Sequence, residues 1–100
     1  MIVTVFRARL KPEAYAEYAP LAARLGEIAK SIPGYVSHKR FTADDGERVT
    51  IVEFATEEGH RAWAMHPEHL AAKRIGRERF YTEYKVQVCR LQSESARLSG

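Results

Sequence analysis

The chain has 100 residues, of which 45% are hydrophobic and 29% charged, and this length and balance fit one globular domain with no room for a second. Its formal net charge of +3 is too weak to indicate nucleic acid binding by itself. No apolar stretch approaches the roughly 20 residues of a membrane span, and the first residues lack a secretory signal pattern. We therefore expect a cytoplasmic protein with neither nucleic acid nor membrane as a partner.

The first half of the chain predicts a strand, a helix and a hairpin. The run from Ile2 to Leu10 is rich in β-branched residues and apolar at both odd and even positions, which predicts a strand covered on both faces. Pro12 suits a first helical position, and apolar residues recur at helical spacing from Tyr15 to Ile32. Two strand-like runs then flank ADDGE, a short polar stretch with a glycine, as in an antiparallel hairpin.

The second half predicts two helices and a last strand. Thr56 precedes acidic residues, the pattern of an N-capped short helix. Pro67 predicts the start of another helix, because proline fits the first helical position and excludes the preceding residue from the helix. The run from Phe80 to Leu91 predicts the last strand, and residues 93–100 are expected to form a frayed tail after a domain of residues 1–92.

The resulting order, βαββαβ, predicts a ferredoxin-like α+β domain, in which a four-stranded antiparallel sheet carries its helices on one face. The other face of the sheet would then be open. Because the first strand is apolar on both parities and a domain of this size buries only about 60–65% of its unfolded surface, we expect that face to pack on a second copy as a homodimer. Cys89, in the last strand, is expected to be a packed thiol.

The segment around Trp63, His66 and His69 carries the candidate chemistry. Two histidines three positions apart could form a metal pair, but no third ligand is identifiable, so no metal is expected. They could instead be structural, with His66 capping a helix and His69 half buried. In the functional interpretation, Trp63 and His69 line a cavity, where a neutral imidazole can hydrogen-bond a phenolic substrate and take its proton.

Other functional classes have weaker support. The third strand, ERVTIVEF, lacks the aromatic pattern of an RNA-recognition strand, and the chain contains no glycine-rich phosphate loop. The basic run from Lys73 to Arg79 is read as a solvated helix end, with contact to an anionic ligand as the alternative.

The segment WAMHPEHLAA at 63–72, preceded by IVEFATEE and followed by GRERFYTEYKVQVC, resembles the antibiotic biosynthesis monooxygenase (ABM) family. The resemblance covers residues 1–92 and implies a dimeric α/β barrel. It also implies oxygenation of an electron-rich aromatic without metal or flavin. In such a reaction the substrate anion gives an electron to oxygen, while the protein supplies a dry pocket, a proton acceptor and positioning.

Position by position, the resemblance places the pocket tryptophan of the family at Trp63. Polyketide-oxidising members have an asparagine and a tyrosine where this chain has Gly59 and His69, so His69 would take the place of the tyrosine. Haem-degrading members have an asparagine and a histidine where this chain has Phe6 and Lys73. A protonated lysine is a poor haem ligand, which argues against that activity here.

We therefore expect a cofactor-independent monooxygenase that oxidises a small quinol or polyphenol with O2, with His69 as proton acceptor and Trp63 as aromatic wall. The alternative is a non-catalytic small-molecule-binding or stress-related dimer with the same pocket. The expected partners are the small aromatic, O2 and a second copy, and no cofactor is expected. Further substrate contacts are predicted at Phe6, Phe41, His66 and Phe80.

Overall fold

A computed structural model describes residues 1–99 of the chain. A four-stranded antiparallel sheet, in the order β2-β3-β1-β4, forms its framework. The strands are β1 (Ile2–Leu10), β2 (Tyr35–Thr42), β3 (Arg48–Phe54) and β4 (Tyr81–Arg90). This topology confirms the predicted ferredoxin-like α+β fold.

Three α-helices join the strands, each beginning close to its predicted start. They are α1 (Tyr15–Ser31), which follows a 3-10 turn at Pro12–Ala14, α2 (Glu57–Ala64) and α3 (Pro67–Ile75). Thr56 caps α2, since its hydroxyl accepts a hydrogen bond from the Gly59 amide at 3.0 Å. His66 caps α3 in the same way, because its Nδ1 accepts from the Glu68 amide at 3.1 Å. None of the helices within residues 1–99 is long and apolar enough to span a membrane.

The helices cover the face of the sheet that carries the even-numbered residues of β1. Ile2, Thr4 and Ala8 are buried on this face, together with Val52 and Phe54 of β3. The opposite face has no helix on it in the described chain. Several aliphatic side chains on this face are only partly buried: Val3, Val5, Val49 and Ile51.

An irregularity in β2 decides which of its side chains face the helices. Tyr35 pairs with Phe54, but the register then shifts, so that Ser37 pairs with Glu53 and His38 with Val52. Because one extra residue reverses the facing of every later side chain in a strand, the even-numbered residues of β2 turn towards the helices from this point.

Three local predictions need correction. Phe80, expected in the last strand, ends a π-helical turn (Gly76–Phe80) and is fully buried before β4 begins. Cys89 is exposed, because it lies opposite Val3 on the face that no helix covers. Tyr15, expected on the apolar side of the first helix, is 53% exposed. The predicted tail contains neither helix nor strand over residues 93–99, and Gly100 lies outside the described residues.

Candidate functional site

A cavity of about 350 Å³ lies between the sheet and the helices. Most of its lining side chains are apolar, and its volume lies at the lower end of the roughly 300–1,000 Å³ of small-molecule sites. Thr4 and Phe6 from β1 form its floor, while Ala22 and Leu25 of α1 and Trp63 of α2 contribute from the helices. A small aromatic molecule fits a space of this size and polarity.

Trp63 and His69 form a pair on the wall of the cavity. Their ring centroids are 4.2 Å apart, with 36° between the ring planes, and Phe54 packs behind the indole at 5.7 Å. The Nδ1 of His69 lies 3.0 Å from the carbonyl oxygen of Trp63. Because a carbonyl oxygen only accepts hydrogen bonds, Nδ1 carries the proton, and in the neutral ring Nε2 keeps its lone pair.

His69 is held in its neutral form. Burial lowers the pKa of His69 to about 4, and the positive charge of Lys73 acts in the same direction, against an opposing effect of the hydrogen bond to Trp63. Burial is thus the main cause of the neutral state. At neutral pH the ring therefore offers a hydrogen-bond acceptor and no charge.

Two buried polar atoms next to the cavity lack a partner among the described residues. They are Oγ1 of Thr4 and Nε1 of Trp63. Buried hydroxyl and indole N–H groups are normally hydrogen-bonded, and an unsatisfied one costs about 1–3 kcal/mol. A ligand with hydroxyl or carbonyl oxygens could supply the missing partners.

The structure brings four of the six predicted site residues to the cavity. Trp63, His69, Phe6 and the buried Phe80 all line it. The ring of Phe6 packs edge-on against that of Tyr81, with 5.4 Å between the ring centroids. Phe6 gives the floor an apolar ring.

Phe41 and His66 are not brought to the cavity. Phe41 pairs with Val49 on the face that no helix covers, because the register shift in β2 turns it away from the helices. His66 is occupied by its cap of α3. No group of three histidine, cysteine, aspartate or glutamate side chains within residues 1–99 could hold a metal ion.

Several lining residues were missed from the sequence. His38 and Arg40 reach the cavity through the same register shift, which no sequence pattern marked. Tyr81 lies in the wall, and burial raises the pKa of its phenol above the usual range, so it stays protonated. Thr4 could have been predicted, because alternate residues of a strand face the same side of the sheet and Thr4 lies two residues before Phe6.

The backbone around Gly59 leaves no room for a side chain. A Cβ at this position would lie 2.6 Å from the carbonyl oxygen of Pro33 and 3.2 Å from the ring of Phe54. Real Cβ atoms do not approach a carbonyl oxygen so closely, so the first turn of α2 fits against the turn that follows α1 only with glycine.

Residues 1–75 match the model of the family described as antibiotic biosynthesis monooxygenase. The chain is also 28% identical over 90 residues to the uncharacterized protein YqjZ of Bacillus subtilis, an alignment that covers 90% of this chain and 79% of that protein.

Solved structures show the same fold at low sequence identity. The Mycobacterium tuberculosis protein Rv0793 superposes with a TM-score of 0.81 and 17% identity, covering 95% of this chain and 98% of that one. SnoaB from Streptomyces nogalater, described as a cofactor-independent oxygenase, superposes with a TM-score of 0.75 and 20% identity, covering 93% and 94% of the two chains.

Proposed function

The chain belongs to the antibiotic biosynthesis monooxygenase family, and from this premise we propose that it is a cofactor-independent monooxygenase acting on a small quinol or polyphenol. The observation that supports this most is the Trp63–His69 pair inside an apolar cavity, with Nε2 of His69 free to accept a hydrogen bond. The likeness to SnoaB, described as a cofactor-independent oxygenase, adds support.

The proposed reaction needs no electron donor besides the substrate. The quinol binds as its monoanion, after releasing one proton to bulk water, and gives one electron to O2. The two radicals combine into a carbon-bound peroxide, which takes up a proton and loses water to leave a hydroxyquinone. One oxygen atom enters the product and the other leaves as water, so atoms and electrons balance. The protein must bind the ring, exclude bulk water and hold the hydroxyl groups in position.

His69 suits the orientation of a hydroxyl better than its full deprotonation. A phenol has a pKa near 10, whereas the pKa of His69 is about 4, so complete proton transfer to the ring would cost roughly 8 kcal/mol. We propose that Nε2 accepts a hydrogen bond from one substrate hydroxyl, while Trp63, Phe6 and Phe80 form the walls around the ring. This modifies the expectation that His69 is the proton acceptor.

The test is oxygen uptake with 1,4-naphthohydroquinone as substrate and ¹⁸O2 as the gas. We expect uptake above the uncatalysed rate, undiminished by EDTA, and one ¹⁸O atom in the hydroxyquinone product. Formation of hydrogen peroxide with unlabelled quinone would make the protein an oxidase and contradict the proposal, as would uptake no faster than autoxidation.

A non-catalytic binding protein is the second candidate, and two observations favour it. Gly59 leaves no side chain at the asparagine position of the polyketide-oxidising members, and His69 is a weak base. Quenching of Trp63 fluorescence by the quinol without oxygen uptake would select this candidate.

A further inference from the structure

The charged residues that line the cavity are all of one sign. They are Arg40, Lys73 and Arg77, and the described lining includes no aspartate or glutamate. Lys73 and Arg77 are both exposed, so they lie where the cavity meets solvent. The opening of the cavity is therefore positively charged.

These cations lack the carboxylate partners that nearby arginines have. Arg24 on α1 pairs with Glu68 at 3.0 Å, and Arg79 pairs with Glu17. No carboxylate lies within ion-pair distance of Lys73 or Arg77 in the described chain. Lys73 makes one long hydrogen bond, 3.5 Å from Nζ to the carbonyl oxygen of Ala64 at the end of α2, which leaves its other protons free.

Arg40 adds positive charge from the sheet. Its guanidinium lies over the ring of Tyr18, with Cζ 5.7 Å from the ring centroid, and it reaches the cavity only because of the register shift in β2. Cations thus come from β2 on one side and from α3 and the following π turn on the other.

We propose that the ligand of the cavity is an aromatic acid, whose carboxylate is held by Lys73 and Arg77 at the opening while its ring lies against Trp63 and His69. The inference rests on the proposed function for the aromatic character of the ligand, and adds the anionic group. Hydrogen bonds between cationic side chains and a carboxylate are shorter and about twice as strong as neutral ones. A neutral analogue of the same size leaves the two cations unpaired and binds more weakly.

Trp63, the only tryptophan of the chain, provides the measurement. Its fluorescence is titrated under nitrogen with 1,4-dihydroxy-2-naphthoate and with the methyl ester of that acid, so that no oxidation takes place. We expect the acid to bind about tenfold tighter than the ester, the effect of one charge-assisted hydrogen bond, and the difference to shrink as salt is added.

The double variant Lys73→Gln/Arg77→Gln should bind the acid as weakly as the ester, and its unchanged affinity for the ester shows that the cavity is intact. Arg74→Gln is the matched control, because Arg74 lies on the same helix, is exposed and does not line the cavity. It should keep the preference for the acid.

The inference is overturned if the unmodified chain binds both compounds equally or binds neither. It is also overturned if the double variant still prefers the acid. Loss of the preference in Arg74→Gln would overturn it as well, because the preference would then come from the overall charge of the helix. Because the titration excludes oxygen, an absence of oxygen uptake counts against the proposed function alone and leaves the preference for the acid standing.

Discussion

His69 has a separate role for each ring nitrogen: Nδ1–H ties the ring to the Trp63 carbonyl, and Nε2 is left for a ligand. We predict that His69→Ala lowers the rate of quinol oxidation by roughly 10- to 100-fold, the loss of one buried hydrogen bond of about 1–3 kcal/mol. His69→Gln should recover most of the rate, because its amide oxygen can also accept. Steady-state oxygen uptake measures both variants, and a glutamine variant as slow as the alanine variant would show that the imidazole acts as a base.

The low pKa of His69 predicts how stability depends on pH. The imidazole titrates near 6.5 when unfolded and about 4 when folded, so between these values the unfolded state binds a proton that the native state does not. The stability from neutral His69 is complete above pH 6.5 and is lost as the pH falls towards 4, by on the order of 3 kcal/mol.

Urea unfolding of the unmodified chain and of His69→Gln, at pH 7 and at pH 4.5, measures this effect. The unmodified chain should lose more stability on acidification than the variant, because only the former has the imidazole. Equal losses would place a normally titrating histidine at this position.

The contact between α2 and the turn that follows α1 depends on Gly59. We predict that Gly59→Ala destabilises the fold by about 1–3 kcal/mol, because the added Cβ must push away the Pro33 carbonyl. Glu58→Ala, a change at the exposed neighbouring position, should stay within about 0.5 kcal/mol. Thermal unfolding measures the stability of the two variants. A Gly59→Ala variant as stable as the unmodified chain would show that α2 can shift to make room for the Cβ.

The facing of β1 and the starts of two helices were predictable from short stretches of sequence. The parity of β1 placed Thr4 and Phe6 together on one face, and the capping patterns gave the starts of α2 and α3 at Thr56 and His66. These features depend on strand periodicity and on side chains that bond to their own backbone, both of which are visible in a short stretch of sequence.

The register of β2 could not be predicted. An unbroken strand from Tyr35 would have turned Phe41 towards the helices, but the shift before Ser37 brings His38 and Arg40 to the cavity instead. The bulge depends on pairing with β3, not on any residue pattern of its own. Because of this one added residue, Arg40 lines the cavity in place of the expected Phe41.

At the scale of the whole molecule, the face of the sheet without helices predicts a dimer. Val3, Val5, Val49 and Ile51 lie there only partly covered, and Phe41 is 45% exposed. We propose that a second copy covers this face, as the resemblance implies. Sedimentation equilibrium at micromolar concentration should then give twice the chain mass of 11.4 kDa.

Val5→Asp should give the monomer mass or unfold the chain, because burying an unpaired carboxylate in the interface is strongly unfavourable. Ala23→Asp, an exposed position on α1, is the matched control and should remain dimeric. A Val5→Asp variant that is still a stable dimer would mean that the copies meet through another surface.

If a quinol binds and reacts in the cavity between sheet and helices, a side chain that fills the cavity must stop the reaction. Ala22 of α1 lines the cavity, whereas its neighbour Ala23 is exposed, so Ala22→Leu fills the space and Ala23→Leu does not. The measurement is oxygen uptake with 1,4-naphthohydroquinone by each variant, after circular dichroism has shown that both are folded. We expect Ala22→Leu to lose most of the catalysed uptake and Ala23→Leu to keep it. Equal uptake by the two variants would show that the quinol reacts elsewhere.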